Sequence, residues 1–417
     1  MTTDLNKCYL HIRQKEAQSE PACVQELLQM VELRAHHSAT VQQDSEALIL
    51  ACRARKHEAG SLDAFLQEFG LSNREGVALM CLAEALLRVP DAETVGRLIA
   101  EKLGQGEWGA HKGQSDSLFV NASVWGLMLT GKVIDLHDDS EPDGSNWLSR
   151  LRARLGEPVV RHAVYKAMRI MGGQFVLGKD MGQALKKSQS DKTRGLRFSF
   201  DMLGEGARTA ADAERYAKSY SDAIATIITH RASEQVELSD GISIKLSALH
   251  PRFDQLQLDR VEQELYPRVL ALALQAKTGG IGLSIDAEEV ERLELNLRIF
   301  EKLAREPQLS GWQGLGFVLQ AYQTRAIAVC DWLIALAKET DRRLMVRLVK
   351  GAYWDREVKR AQELGLPDYP VFTRKCHTDV SYHACASRLF DAGEALYPQF
   401  ASHNAQTLAY LMHLAPP

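Results

Sequence analysis

The 417 residues hold 50 Lys and Arg against 54 Asp and Glu, a net charge of −4, so there is no electrostatic case for nucleic acid as a partner. An apolar fraction of 45% suffices for a sizeable core, and no run of about 18 apolar residues is present to span a membrane. Met1-Thr-Thr-Asp-Leu-Asn6 lacks the basic flank and apolar stretch of a signal peptide, and seven scattered cysteines without a CxxC pair read as free thiols in a reducing cytosol.

The part to about residue 190 reads as helical, with 1–70 as an arm and 71–190 as a helical domain. Ser72-Asn-Arg-Glu75 has the form of a capping box, and Val77, Leu79, Met80, Leu82, Leu86 and Val89 follow at helical spacing until Pro90. Asp91 can cap a second helix with Val95, Leu98, Ile99 and Leu103 on one face. This region has no nucleotide-binding glycine fingerprint and no zinc spacing, and a scaffold or dimerisation role is expected.

From about residue 191 the rhythm changes. Arg197–Leu203 reads as a strand, and Thr209-x-x-Asp212 then caps a helix with Ala213, Tyr216, Ala217, Tyr220, Ile224, Ile227 and Ile228 on its apolar face. Ile242–Ala248 reads as a second strand followed by a helix around 258–277. Ile281–Asp286 is a third, followed by a charged helix from 287 to 305. Leu315–Gln320 is a fourth, with a helix near 324–340. The stretch Leu344–Asp355 begins as a fifth strand. A helix near 374–392 leads to a sixth strand at Pro398–His403, and a helix from Ala405 to Leu414 follows.

Strands alternating with amphipathic helices imply right-handed crossovers and a parallel sheet. The spacing suits an α/β fold of the (β/α)8, TIM-like barrel type, truncated after about six units and preceded by an all-helical domain. Such a barrel needs about 250 residues and eight units, and six strands leave an unclosed edge. The intact polypeptide is therefore expected to continue past Pro417.

Reactive groups of such barrels sit at the C-terminal strand ends. In order these are Asp201, Lys245, Asp286, Gln320, Arg347 with Lys350, and His403 with Asn404. Each alone has a bland reading as a cap, a solvated cation or a hydrogen-bonded core residue. Six converging on one mouth point to function. The mouth is cationic, with few carboxylates for a metal, so no metal is expected and an anionic organic ligand fits better. A guanidinium in mid-strand at Arg347 is costly to bury without an anionic or electron-rich partner, and Gly351 permits close approach of backbone to a ligand.

Ile242–Phe253 (ISIKLSALHPRF), Gly282–Arg292 (GLSIDAEEVER), Gly316–Tyr322 (GFVLQAY), Val346–Asp355 (VRLVKGAYWD), Tyr369–Lys375 (YPVFTRK) and Phe400–Asn404 (FASHN) resemble the proline dehydrogenase family. The resemblance is greatest to the proline dehydrogenase part of bacterial proline utilization A proteins. It implies FAD-dependent oxidation of L-proline to Δ1-pyrroline-5-carboxylate, with electrons passed to a membrane quinone. It places FAD across the C-terminal face of the barrel, with Arg347 beside the flavin and Gln320 bonded to its ring. Val349, Lys350, Gly351, Ala352 and Trp354 would line the cofactor, and Ala287, Thr373, Lys375, His403 and Asn404 would complete its site. Lys245 would pair with the proline carboxylate, and Asp286, Tyr353 and Ala352 would shape the substrate pocket. A homo-oligomer in the cytoplasm, peripheral on the inner face of the membrane, is also implied.

One departure is that no Arg-Arg pair follows His403, where the family places a substrate clamp; Arg342-Arg343 precedes strand five. Weak FAD binding and poor turnover are expected of this stretch alone. The related proteins continue into an aldehyde dehydrogenase domain, and some begin with a ribbon-helix-helix DNA-binding segment. Nothing basic of that kind precedes residue 70, so nucleic acid is not expected as a partner. A Schiff-base aldolase with Lys245 as nucleophile and Asp286 as proton shuttle would use the same residue types, although Arg347 with Val349–Trp354 favours a flavin. A helical interaction module fused to a degenerate barrel is the non-enzyme reading.

Overall fold

The computed structural model describes residues 4–16, 18–32, 38–54, 176–178, 180–192, 195–204, 206–231 and 233–415. The chain divides into two compact units, one of Met1–Ile49 with Ser188–Pro417 and one of Leu50–Lys187. The expected capping box at Ser72–Glu75 and the helices on 77–89 and 91–103 lie outside the described residues.

The first unit is built on six parallel strands in sequence order, a curled part-barrel with helices outside it. The strands are β1 (Ser199–Asp201), β2 (Gly241–Ile244), β3 (Leu283–Ile285), β4 (Leu315–Gln320), β5 (Leu344–Val349) and β6 (Leu396–Phe400). Before the sheet come α1 (Asp4–Glu16), α2 (Glu20–Glu32), α3 (Ser38–Ala54) and α4 (Met181–Lys192). Between and after the strands the longer helices are α5 (Ala210–Thr229), α6 (Tyr266–Gly279), α7 (Leu293–Arg305), α8 (Ala326–Glu339), α9 (Trp354–Glu363), α10 (Lys375–Asp391) and α11 (Ala405–Leu414).

Ladder partners share a face, so the register sorts the side chains. Phe200, Ile242, Leu283, Leu315, Phe317, Leu344, Val346 and Leu396 are all buried on the face that meets the helices. The opposite face is mostly polar. Asp201 pairs with Ser243, Ser243 with Ser284, Ser284 with Gly316, Gly316 with Met345, Val318 with Arg347, and Arg347 with Gln399. Two steps along the strands on this face come Lys245, Asp286, Gln320 and Val349.

That face is concave. Strands lie about 4.8 Å apart, so β5 and β1 in a flat sheet would be about 19 Å from one another. Arg347 on β5 nevertheless reaches the Ser199 hydroxyl on β1 at 3.3 Å and the Ser243 hydroxyl on β2 at 2.5 Å. Only a rolled sheet brings these groups together. A Cβ at Gly316 would lie 2.4 Å from Ser284 Oγ, so the lining has little room for larger residues.

Several boundaries differ from the sequence expectation. β2 ends at Ile244 because Leu246–Leu249 forms a short buried helical turn. The helix expected from 287 starts at Leu293 after a single 3-10 turn at Val290–Arg292, which leaves 286–289 as a loop over the mouth. The helix Trp354–Glu363 was not anticipated, and the helix expected at 258–277 includes a π turn at Val261–Leu265.

Candidate active site

At the C-terminal strand ends lies a cavity of about 820 Å³. Its lining includes Asp201, Lys245, Asp286, Ala287, Gln320, Val349, Lys350, Gly351, Ala352, Tyr353, Lys375, His403 and Asn404, thirteen of the positions singled out above. Val318, Ala401 and Ser402 complete it.

The floor is an ion-pair cluster. Lys245 Nζ donates to Asp286 Oδ2 at 2.7 Å and to the two Asp201 carboxylate oxygens at 3.1 and 3.3 Å. Its position is fixed from behind, since the Lys245 backbone N–H donates to the hydroxyl of Tyr220 on α5. Burial opposes the charge on Lys245, but the carboxylates of Asp286 and Asp201 outweigh it and raise the ammonium pKa above its ordinary value. A Schiff-base lysine needs the reverse shift, so this geometry counts against the aldolase reading.

Gln320 is 2% exposed and its amide is held at both ends. Nε2 donates to the Glu288 carbonyl at 2.9 Å, and Oε1 accepts from the Ala352 N–H at 3.1 Å. It therefore ties the loop after β3 to the loop after β5. The Glu288 side chain accepts from Ser247 N–H at 3.0 Å and from Arg292 at 2.7 Å, while burial raises its pKa against both contacts.

The far end is cationic. Lys350 Nζ lies 2.6 Å from Asp379 Oδ1, and Lys375 Nζ lies 2.9 Å from Oδ2 of the same carboxylate. Burial works to raise the Asp379 pKa, and the two ammonium groups overcome it and lower it. Two cations on one carboxylate leave one positive charge facing the cavity. Beneath them His383 stacks on Tyr410 at 4.1 Å, and burial depresses its pKa to about 4, with Lys350 adding to the effect and Asp379 opposing it. Asn404 caps α11 through its side-chain oxygen on Thr407 N–H at 3.0 Å.

Three expected residues are not in the lining. Arg347 sits deeper on the same face, bonded to Ser199 and Ser243, and its buried Nε has no acceptor among the described residues. Trp354 opens α9, is 42% exposed and donates its indole N–H to Phe372 O at 2.9 Å. Thr373 turns toward α2, where Glu20 accepts from both its N–H and its hydroxyl.

Sequence reasoning missed Asp379 and Glu20. The first is four residues from Lys375, a spacing at which opposite charges meet on a helix. The second lies 353 positions from its partner, and no local pattern reports such a contact.

The family described as "Proline dehydrogenase" matches residues 184–416, the whole of the part-barrel. The chain belongs to the proline dehydrogenase family. The "Bifunctional protein PutA" of Salmonella typhimurium is 54% identical over 357 residues, which cover 86% of this chain and 27% of that protein. That of Rhizobium meliloti is 49% identical over 408 residues, 97% of this chain and 32% of that protein. A crystal structure of a bifunctional proline utilization A (PutA) protein superposes with a TM-score of 0.70 at 44% identity, over 96% of this chain and 40% of that one. The chain thus spans about a quarter to a third of the length of these curated relatives. A second family, described as "DNA-binding domain of Proline dehydrogenase", matches residues 61–175. That description runs against the expectation of no nucleic-acid partner.

Proposed function

We propose that this proline dehydrogenase family chain oxidises L-proline to Δ1-pyrroline-5-carboxylate with FAD held in the strand-end cavity, electrons passing on to a membrane quinone. The observation that carries this reading is the Asp201–Lys245–Asp286 cluster on the cavity floor. A free amino acid is a zwitterion. A lysine flanked by two carboxylates presents both signs within one hydrogen-bond length, which suits an adjacent carboxylate and ammonium better than it suits a simple acid.

The residues present also suit FAD. The cavity falls in the range of about 300–1,000 Å³ usual for cofactor sites. Ala287, Val318, Val349 and Ala352 offer small apolar walls, and the Lys350–Lys375 pair with its single shared carboxylate suits the anionic portion of the cofactor. The orphaned Nε of Arg347 marks a donor still seeking an acceptor. When bound, FAD would take the hydride released from the carbon beside the proline nitrogen.

Lys245, held charged, receives the substrate carboxylate as a point cation. Asp286 faces the substrate amine and favours its approach to Lys245 in one orientation. Arg347 is a fixed cation on the same face, placed to stabilise negative charge developing above it without reorganising. Gln320, locked at both ends, holds the two loops that carry Ala287 and Ala352. Tyr353 closes one wall.

The acceptor quinone implies a peripheral contact with a bilayer; among the described residues no helix is long and apolar enough to cross one. The resemblance further supports a homo-oligomer on the cytoplasmic face and a linked aldehyde dehydrogenase activity. Adding L-proline to the purified full-length protein under anaerobic conditions should bleach its flavin absorbance. A protein without flavin bands that traps a carbonyl substrate on Lys245 with borohydride would overturn the reading in favour of the aldolase.

A further inference from the structure

The helix α2 is remote in sequence from the cavity, yet its first residue closes on the segment that leads into α10. The Glu20 side chain is buried. Its Oε1 accepts from the Thr373 backbone N–H at 3.0 Å, and its Oε2 from the Thr373 hydroxyl at 2.8 Å. His377 Nδ1 lies 2.5 Å from Oε1. Burial works to raise the Glu20 pKa, and the His377 and Thr373 contacts overcome it and lower it.

Thr373 is separated by one residue from Lys375, which opens α10 and lines the cavity. The same segment is tied on its other side. Phe372 N–H donates to Tyr322 O at 2.8 Å, Thr324 N–H donates to Pro370 O at 3.2 Å, and the Trp354 indole donates to Phe372 O at 2.9 Å. Glu20 supplies the anchor from the N-terminal helices. A carboxylate that accepts several donors fixes direction as well as distance. The arm is held elsewhere by similar contacts: Tyr9 and Arg13 on Glu294, and Glu16 on the buried Arg325.

We infer that Glu20 is a positioning residue for the cavity: by clamping Thr373 and His377 it sets the start of α10, and with it Lys375, where the anionic part of a cofactor is received. Docking of the N-terminal helices and occupancy of the cavity are thereby coupled, and such coupling acts equally in both directions. This rests on the cavity being the FAD site.

The test uses the full-length protein with Glu20→Ala, Glu20→Gln and Thr373→Val. FAD affinity is read by flavin fluorescence, and amide hydrogen exchange is followed over residues 20–32 and 369–377, with and without FAD. In the parent protein FAD should slow exchange in α2. Glu20→Ala should speed exchange in both segments and weaken FAD about tenfold, the scale of a lost charged hydrogen bond. Glu20→Gln, which keeps one acceptor, should fall between, and Thr373→Val, which removes the hydroxyl donor but keeps the backbone N–H and His377 on Glu20, should weaken FAD less than Glu20→Ala. Unchanged FAD affinity in a folded Glu20→Ala protein overturns the inference, whether or not α2 loosens. If the parent protein takes up no FAD, the proposed function fails instead. The clamp is then decided by exchange at 369–377, where no change in Glu20→Ala would refute it.

Discussion

Gly351 turns the chain at φ 139°, and a Cβ there would lie 2.3 Å from the ring of Tyr322. The sequence reading assigned this glycine's missing side chain to a cofactor; the structure gives that space to an aromatic ring of its own fold. Gly351→Ala should therefore strain the backbone and displace Tyr322 together. We expect a lower melting temperature and reduced flavin content, both measurable on the purified protein, and a variant retaining both would show that the loop relaxes freely. Lys245 tests the substrate side. Lys245→Met should raise the KM for proline by at least about tenfold, the scale of a lost charged hydrogen bond, while the flavin stays bound. Loss of flavin with unchanged KM would reassign the residue to the cofactor. At this scale much of the site was legible, because strand ends on a parallel barrel must converge wherever the polar residues fall. What escaped was direction: nothing local told that Thr373 would turn to α2, or that Arg347 would reach across to Ser199 and Ser243.

Among the elements, α5 shows how far local chemistry carries. Thr209 accepts from the Asp212 N–H at 3.1 Å, and Asp212 accepts from the Thr209 N–H at 3.0 Å, the reciprocal cap expected from the sequence. Thr209→Ala should cost about 1 kcal/mol, read as a lower urea midpoint at unchanged slope, and Thr209→Ser should largely preserve it. The same pattern reasoning overran β2, because Ile242–Leu249 is apolar enough for either a long strand or a strand followed by a helical turn. It passed over α9, whose first residue, Trp354, was read as ligand wall. Tertiary contacts decide both. The Ser247 N–H in the turn after Lys245 is taken by the buried Glu288 carboxylate at 3.0 Å, and Glu357 on α9 is buried to accept from Val290 N–H at 2.9 Å.

For the whole molecule, stability should fall in mild acid partly through His383. Its pKa is depressed to about 4 in the fold, against about 6.5 unfolded, because burial disfavours the charged ring. The unfolded chain therefore binds the extra proton first as pH drops. The stabilisation is fully present above about pH 6.5 and is lost progressively as pH falls toward 4. His383→Phe, which can still stack on Tyr410, should flatten denaturation midpoints across that window; an unchanged slope would exclude His383 as the source. The alternation of strands and helices made the parallel part-barrel readable in advance. The packing of residues 1–49 with the barrel was not, since it rests on contacts such as Arg13 with Glu294, 281 positions apart.

The Arg347 strut carries a mechanical meaning. A guanidinium has five N–H bonds, and two of them hold β5 to β1 and β2 across the hollow. An acceptor arriving at the free Nε meets a donor whose neighbouring nitrogens are already engaged by two serine hydroxyls. A guest bonded there leaves in place the one side-chain bond that joins β5 to β1 among the described residues. The curvature of the sheet is thus set before the hollow is filled, and a guest inherits that shape rather than making it.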